Sequence, residues 1–179
     1  MSTIYFTGSS LDGFIVDDRA SIDWLTSRDI DPAGPFGYQA FSRSIGALVM
    51  GATTYEWVRD KRPGEWPFPQ PTWVLTHRPE IVRPDHPVQA FAGDVAELHP
   101  QLVQAAGYKD VWVVGGGDAA AQFVRAGLVD ELVVTYAPCT LGSGGLLLPV
   151  KSEWSLIESG INRDFVCARW RKAGVEPSG

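Results

Sequence analysis

The chain has 179 residues, of which 45% are apolar and 20% charged, and this suits one folded unit with a buried core better than two small ones. A formal net charge of -6 and a pI near 5.0 leave no global basic field, which sets nucleic acid and anionic membrane surfaces aside as partners. No run approaches the ~20 apolar residues of a membrane span, and the opening MSTIYFTGSSLDGF lacks the basic and uninterrupted apolar segments of a secretory leader, so a cytoplasmic location is expected.

Along the chain, β-branched apolar runs alternate with amphipathic stretches, the pattern of an α/β protein. Strands are expected over residues 3–7, 47–50, 72–76, 88–91, 110–114 and 131–137, several of them apolar on both faces as buried central strands are. Tyr38, Phe41 and Ile45 recur at helical spacing ahead of Gly46. Asp94 and Glu97 form a capping-box pattern before Leu98, Leu102 and Ala106, although Pro100 either moves that helix start to His99 or bends it. Residues 156–161 and 165–171 are strand-like and separated by the turn-prone Asn162, Arg163 and Asp164, which reads as an antiparallel hairpin finishing a mostly parallel sheet. The expectation is a single domain over 1–173 with a disordered tail at 174–179. The proline-rich stretch 62–71, with Trp66 and Phe68, reads as an ordered surface loop or part of a subunit contact.

The strongest local signal is Val111-Trp112-Val113-Val114, then Gly115-Gly116-Gly117-Asp118, then 119–126 ending at Gly127. It reads as strand, glycine turn and helix. Three glycines let the backbone approach a ligand closely, and the helix start behind them offers free N–H groups to a pyrophosphate. A plain tight turn, with Asp118 capping the helix, accounts for the same residues. Gly115, Gly117 and Ala120 satisfy G-x-G-x-x-A, yet Tyr136 and Ala137 stand where a Rossmann domain carries an acid about 20 residues on. A Rossmann site is disfavoured. Cys139 and Cys167 lack metal spacing and read as buried free thiols, and His77, His86 and His99 read as surface residues, so no metal is expected. The tryptophans, Trp57 and Trp112 among them, read as core packing.

Four ordered pieces resemble one family: Ser10-Leu11-Asp12-Gly13-Phe14-Ile15, Val49-Met50-Gly51-Ala52-Thr53-Thr54-Tyr55-Glu56, Val74-Leu75-Thr76-His77-Arg78 and Val113-Val114-Gly115-Gly116-Gly117. Together they resemble the dihydrofolate reductase superfamily, especially its RibD C-terminal-domain branch, over nearly the whole chain. The resemblance implies a dihydrofolate reductase-like three-layer α/β/α fold, with a mixed, mostly parallel sheet and a C-terminal antiparallel hairpin. It implies NADPH, with Gly51, Thr53 and Thr54 beside the cofactor phosphates and Gly115, Gly116, Gly117 and Asp118 at the glycine turn. Thr76, His77 and Arg78 match the piece beside the adenosine ribose and its 2'-phosphate. Arginine suits a phosphate because its fixed fork of donors pairs bidentately with the oxygens, which favours NADPH over NADH. The implied activity is reduction of a small heterocycle, similar to 5-amino-6-(5-phosphoribosylamino)uracil reductase of riboflavin biosynthesis or to dihydrofolate reductase. Members of the branch are often homodimers.

Two departures qualify the match. Ala52 stands where many relatives carry an arginine, and no carboxylate falls at Pro35, Phe36, Gly37 or Tyr38, where true dihydrofolate reductases place one on the first helix. Folate reduction of that kind is disfavoured. In hydride transfer the cofactor does the chemistry, so the protein needs few catalytic groups. Asp12 is the catalytic candidate, in the loop after the first strand, although Asp-Gly also favours an ordinary turn. Ser9, Ser10, Asp23 and Tyr38 are the substrate-binding candidates, and the second glycine cluster, 142–145, reads as pocket lining or a flexible connector. The competing reading is a non-catalytic nucleotide-binding protein of the same fold.

Overall fold

The computed structural model describes residues 1–174, so the tail expected from Gly174 onward lies, beyond that glycine, outside the described residues. Strand β1 (Thr3–Ser9) leads through a short β2 (Phe14–Val16) to a one-turn helix α1 (Asp23–Thr26). Helix α2 (Tyr38–Ser44) runs straight into β3 (Ile45–Gly51), and β3 into α3 (Ala52–Lys61). Then come β4 (Thr72–Leu75), β5 (Val88–Phe91), α4 (Val95–Ala106), β6 (Asp110–Gly115), α5 (Gly117–Arg125) and β7 (Glu131–Tyr136). A short β8 (Gly145–Leu146) precedes the hairpin of β9 (Trp154–Asn162) and β10 (Phe165–Lys172).

Eight strands form one sheet in the order β5-β4-β3-β6-β1-β7-β10-β9. β1 through β7 of that sheet pair parallel, and β10 runs antiparallel to both β7 and β9. This is the mixed sheet with a terminal hairpin that the resemblance implies. Its strand order differs from the 3-2-1-4-5-6 of a Rossmann sheet, which settles that question.

Alternation along the strands sends side chains to two apolar layers. Tyr5, Val49, Val111, Val113 and Val134 pack with Leu98 and Leu102 of α4 and Phe123 and Val124 of α5. On the opposite face, Leu48 and Trp112 pack with Phe41 of α2, while Met50 and Val74 meet Tyr55 of α3. Helices therefore cover both faces, giving three layers. The proline-rich loop is ordered, its Phe68 ring 5.7 Å from Trp112 and its Trp66 ring 5.5 Å from Tyr55.

The structure departs from the expected elements in physically simple ways. α4 starts at Val95 and continues through Pro100, with the Asp94 carboxylate accepting from the Ala96 N–H at 2.8 Å. A mid-helix proline costs ~3 kcal/mol or more, and burial of Leu98 and Leu102, worth ~1.5–3 kcal/mol each, offsets it. Ile45, expected in the preceding helix, opens β3 instead, because its β-branched side chain is buried beside Leu48 and Trp112. His86, expected at the surface, is 7% exposed, its ring packed against those of Tyr55 and Trp66 and its Nδ1 3.0 Å from the Tyr55 hydroxyl. His99 is half-buried with Nε2 2.8 Å from Thr3 Oγ1, while His77 is exposed. Cys139 and Cys167 are free thiols, the second buried. No helix among the described residues is long and apolar enough to cross a membrane.

Candidate functional site

The parallel strands β1, β3 and β6 end at one edge of the sheet, the usual ligand edge of open α/β sheets. Two adjoining cavities lie there. A groove of about 560 Å³ is lined by Gly51, Ala52, Thr53, Thr54, Leu75, Gly116, Gly117, Asp118 and Gln122, with Gly144, Gly145 and Leu146 across from them. An apolar cavity of about 320 Å³ is lined by Gly8, Ile22, Leu25, Trp57, Phe68, Trp112 and Val114. Ile15, Val16, Thr53, Thr54 and Gly116 line both.

The helix starts explain what the groove can hold. β3 runs directly into α3 with Gly51 as N-cap, and β6 into α5 with Gly116 as N-cap; neither helix has a side-chain cap bond. The first N–H groups of a helix have no partner within it and carry partial positive charge. Two such helix starts on one groove form a cradle for an anion. Asp118 does not cap α5; it lies in the first turn and is the charged residue of the groove lining.

Glycine at this site serves close approach as much as ligand contact. A Cβ on Gly117 would stand 2.0 Å from the Leu146 carbonyl oxygen, and one on Gly144 2.0 Å from the Val16 oxygen. The second glycine cluster is thus neither connector nor free loop: it closes a small antiparallel sheet in which β8 pairs β2 over the start of α5.

The sequence-based site residues fall into three groups. Gly51, Thr53, Thr54, Gly116, Gly117 and Asp118 line the groove, and Gly115 lines the apolar cavity. Thr76, His77 and Arg78 follow the groove-lining Leu75 and themselves line neither cavity; the Thr76 hydroxyl accepts from the Arg78 N–H at 2.9 Å, and the exposed Arg78 guanidinium lies 3.3 Å from Glu56. Ser9, Ser10, Asp12, Asp23 and Tyr38 line neither cavity. Ser9 and Ser10 are fully buried, Ser9 donating to the Ser10 carbonyl at 2.9 Å. Asp23 is exposed at the start of α1, although its neighbours Ile22 and Leu25 line the apolar cavity. Tyr38 packs at 5.9 Å on Trp112 from the α2 side.

Asp12 joins two loops. It accepts from the Ser10 hydroxyl at 2.6 Å, from the Gly142 N–H at 2.7 Å and from the Leu141 N–H at 3.0 Å. The Ser10 hydrogen bond first, and then the Gly142 and Leu141 amides, hold its carboxyl down at about 2, so it is ionised at neutral pH. Trp57, Phe68 and Trp112 are the cavity residues that sequence reasoning assigned to packing or to a surface loop; aromatic residues look alike from sequence whether they face a core or a cavity.

A third cavity, of about 470 Å³, lies on the α2 side of the sheet near the starts of β1, β6 and β7, opposite the strand ends that meet the groove, and its Glu131 is paired with Arg171 at 3.1 Å and Arg169 at 3.8 Å. Among the described residues no group of three or more His, Cys, Asp or Glu side chains is placed to hold a metal.

Known proteins resemble this arrangement. YwjB of Bacillus subtilis, itself uncharacterized, is 29% identical over 143 residues, 79% of each chain. YyaP of the same organism, also uncharacterized, is 28% identical over 176 residues, 93% of this chain and 87% of its own. A proposed riboflavin biosynthesis protein from Shewanella sp. PV-4 superposes with a TM-score of 0.80 at 27% identity, over 96% of this chain and 99% of the other. Fold likeness extends to the bifunctional deaminase and 5-amino-6-(5-phosphoribosylamino)uracil reductase of Thermotoga maritima, with a TM-score of 0.67, 17% identity and 96% of this chain against 56% of that one. It also reaches Enterococcus faecalis dihydrofolate reductase, solved with NADP(H), with a TM-score of 0.61, 18% identity and 96% of each chain. The family model of the RibD C-terminal domain matches residues 2–156, and the chain belongs to the RibD C-terminal domain family.

Proposed function

We propose that the chain is an NADPH-dependent reductase of a small cyclic acceptor, the class that holds the heterocycle expected from the family. The observation that carries this reading is the pair of helix starts without side-chain caps, α3 and α5, on one groove that adjoins an apolar cavity. Gly51, Thr53, Thr54, Gly116 and Gly117 fit the cofactor phosphates, because backbone donors and small side chains leave room for them. Thr76 and Arg78, next in the chain after the groove-lining Leu75, are the residues for the adenosine ribose and its 2'-phosphate; the exposed Arg78–Glu56 pair, worth ~0–1 kcal/mol, exchanges readily for a phosphate. Held by these residues, NADPH would supply the hydride. The chain's own residues orient the two partners and keep water out of the apolar cavity. Asp12, ionised and bonded to backbone amides, acts as a positioning residue that ties the 10–13 loop to the 141–142 loop.

The experiment is titration of the purified chain with NADPH and NADH, followed by nicotinamide fluorescence. Arg78→Ala is expected to weaken NADPH ~10- to 100-fold, as loss of a charge-assisted hydrogen bond of ~1.5–3 kcal/mol does, and to leave NADH little changed. No binding of either nucleotide refutes the reading.

The apolar cavity has no carboxylate or histidine in its lining, and this favours one competing reading, a non-catalytic nucleotide binder. NADPH oxidation with an added acceptor separates the two. The second partner we propose is another copy of the chain. β9 is an edge strand whose Leu156, Ile157 and Ile161 are 59%, 44% and 71% exposed, with Glu158 as its charged residue. A long, apolar edge with few charges pairs readily with an identical strand.

A further inference from the structure

We propose that the apolar cavity takes an uncharged, planar, conjugated carbonyl compound of the quinone type, in place of a phosphorylated or carboxylated heterocycle. The inference rests on the reductase reading above and narrows it to one substrate class. The cavity of about 320 Å³ falls within the ~300–1,000 Å³ of small-molecule sites. Its walls are the rings of Trp57, Phe68 and Trp112 with the aliphatic groups of Ile22, Leu25 and Val114, and no Asp, Glu, Lys, Arg or His lines it. Flat apolar walls suit a flat ring system. An anionic group carried inside loses its hydration and meets no cation in return.

Two cations near the aromatic residues, Lys61 and Arg59, are not among the lining residues. The Lys61 ammonium lies 5.9 Å from the Trp57 ring centroid, on an exposed residue one turn further along α3. The Arg59 guanidinium lies 5.9 Å over the Tyr55 ring and donates to the Ile81 carbonyl at 3.3 Å.

The missing titratable group also restricts the chemistry. An acceptor that needs a proton in the same step as the hydride, such as an imine, has no general acid within this lining. A quinone needs none. One of its carbonyl oxygens takes the hydride from reduced nicotinamide, the ring π electrons shift, and the opposite oxygen is left with a delocalised negative charge. On release to solvent that oxygen takes a proton from water to give the hydroquinone, so two electrons and two hydrogens reach the acceptor and the nicotinamide is oxidised.

The test uses the full chain with menadione as the uncharged probe, and with 5-amino-6-ribosylaminouracil 5'-phosphate and dihydrofolate as charged ones. Binding is read from tryptophan fluorescence quenching with NADP⁺ present, and turnover from NADPH oxidation. Menadione is expected to quench saturably, to be reduced, and to bind ~tenfold or more tighter than either charged compound. Trp57→Ala is expected to weaken it ~tenfold, and Trp57→Phe, which keeps a flat wall, to retain most of the affinity, with NADP⁺ binding unchanged in both. A charged compound bound more tightly than menadione overturns the proposal, and loss of that affinity in Lys61→Ala would identify the cation responsible. NADPH binding with no binding or reduction of menadione also overturns it. Menadione binding without NADPH binding instead overturns the reductase reading and leaves the ligand class of the cavity supported.

Discussion

Asp12, the catalytic candidate, is hydrogen-bonded to the backbone of a distant loop. Its oxygens accept from Ser10, Leu141 and Gly142, a pairing that links residues about as far apart as the first strand and the loop after β7. With a folded value of about 2 against an ordinary 3.8, it favours folding when ionised. That contribution is fully present above the unfolded value and is lost as the pH falls through the folded one. In urea unfolding the difference between the parent and Asp12→Asn is expected to be constant above pH ~5 and to shrink from pH ~4 towards pH ~2. A gap that widens on acidification would refute the assignment. The same residue limits what sequence can say: Ser-x-Asp-Gly identifies a turn, but the amides that occupy Asp12 come from a loop 129 residues further along.

At the scale of elements, the long strands were readable because each is a continuous or alternating apolar run with turn residues at its ends. β3, β6 and β7 differ from their expected bounds by a residue or two at their ends. β2 and β8 were not readable, since three and two residues carry no period, and their pairing depends on backbone contact between distant loops. Gly117 is the point where that small sheet bears on α5. Replacing it with alanine places a Cβ 2.0 Å from the Leu146 oxygen, a clash with backbone that no side-chain rotation relieves. Gly117→Ala is expected to cost ~1–3 kcal/mol of stability and to weaken NADPH binding at the same time. A variant that unfolds like the parent and binds NADPH normally would show that the β2–β8 sheet is free to shift.

For the whole molecule, the strand order places β1 between β6 and β7, so the loops after β1, β3 and β6 meet at one edge, and among the described residues it leaves the outer side of β9 open at the last position of the sheet. If β9 joins two copies, the chain is expected to sediment as a dimer at micromolar concentration. Leu156→Lys, which charges a side chain already 59% exposed, then gives a folded monomer. A monomeric parent refutes that assembly. The sequence by itself determined the α/β class, the mixed sheet with its terminal hairpin, the glycine turn and the family, because local periodicity, turn chemistry and ordered motifs are properties of contiguous residues. Only the tertiary structure decided that Trp57, Phe68 and Trp112 wall one cavity, that α3 and α5 start on one groove, and that Ser9, Ser10, Asp12, Asp23 and Tyr38 stand outside both. Each of these depends on which segments the sheet order brings together across the chain, and residue spacing carries no measure of that distance.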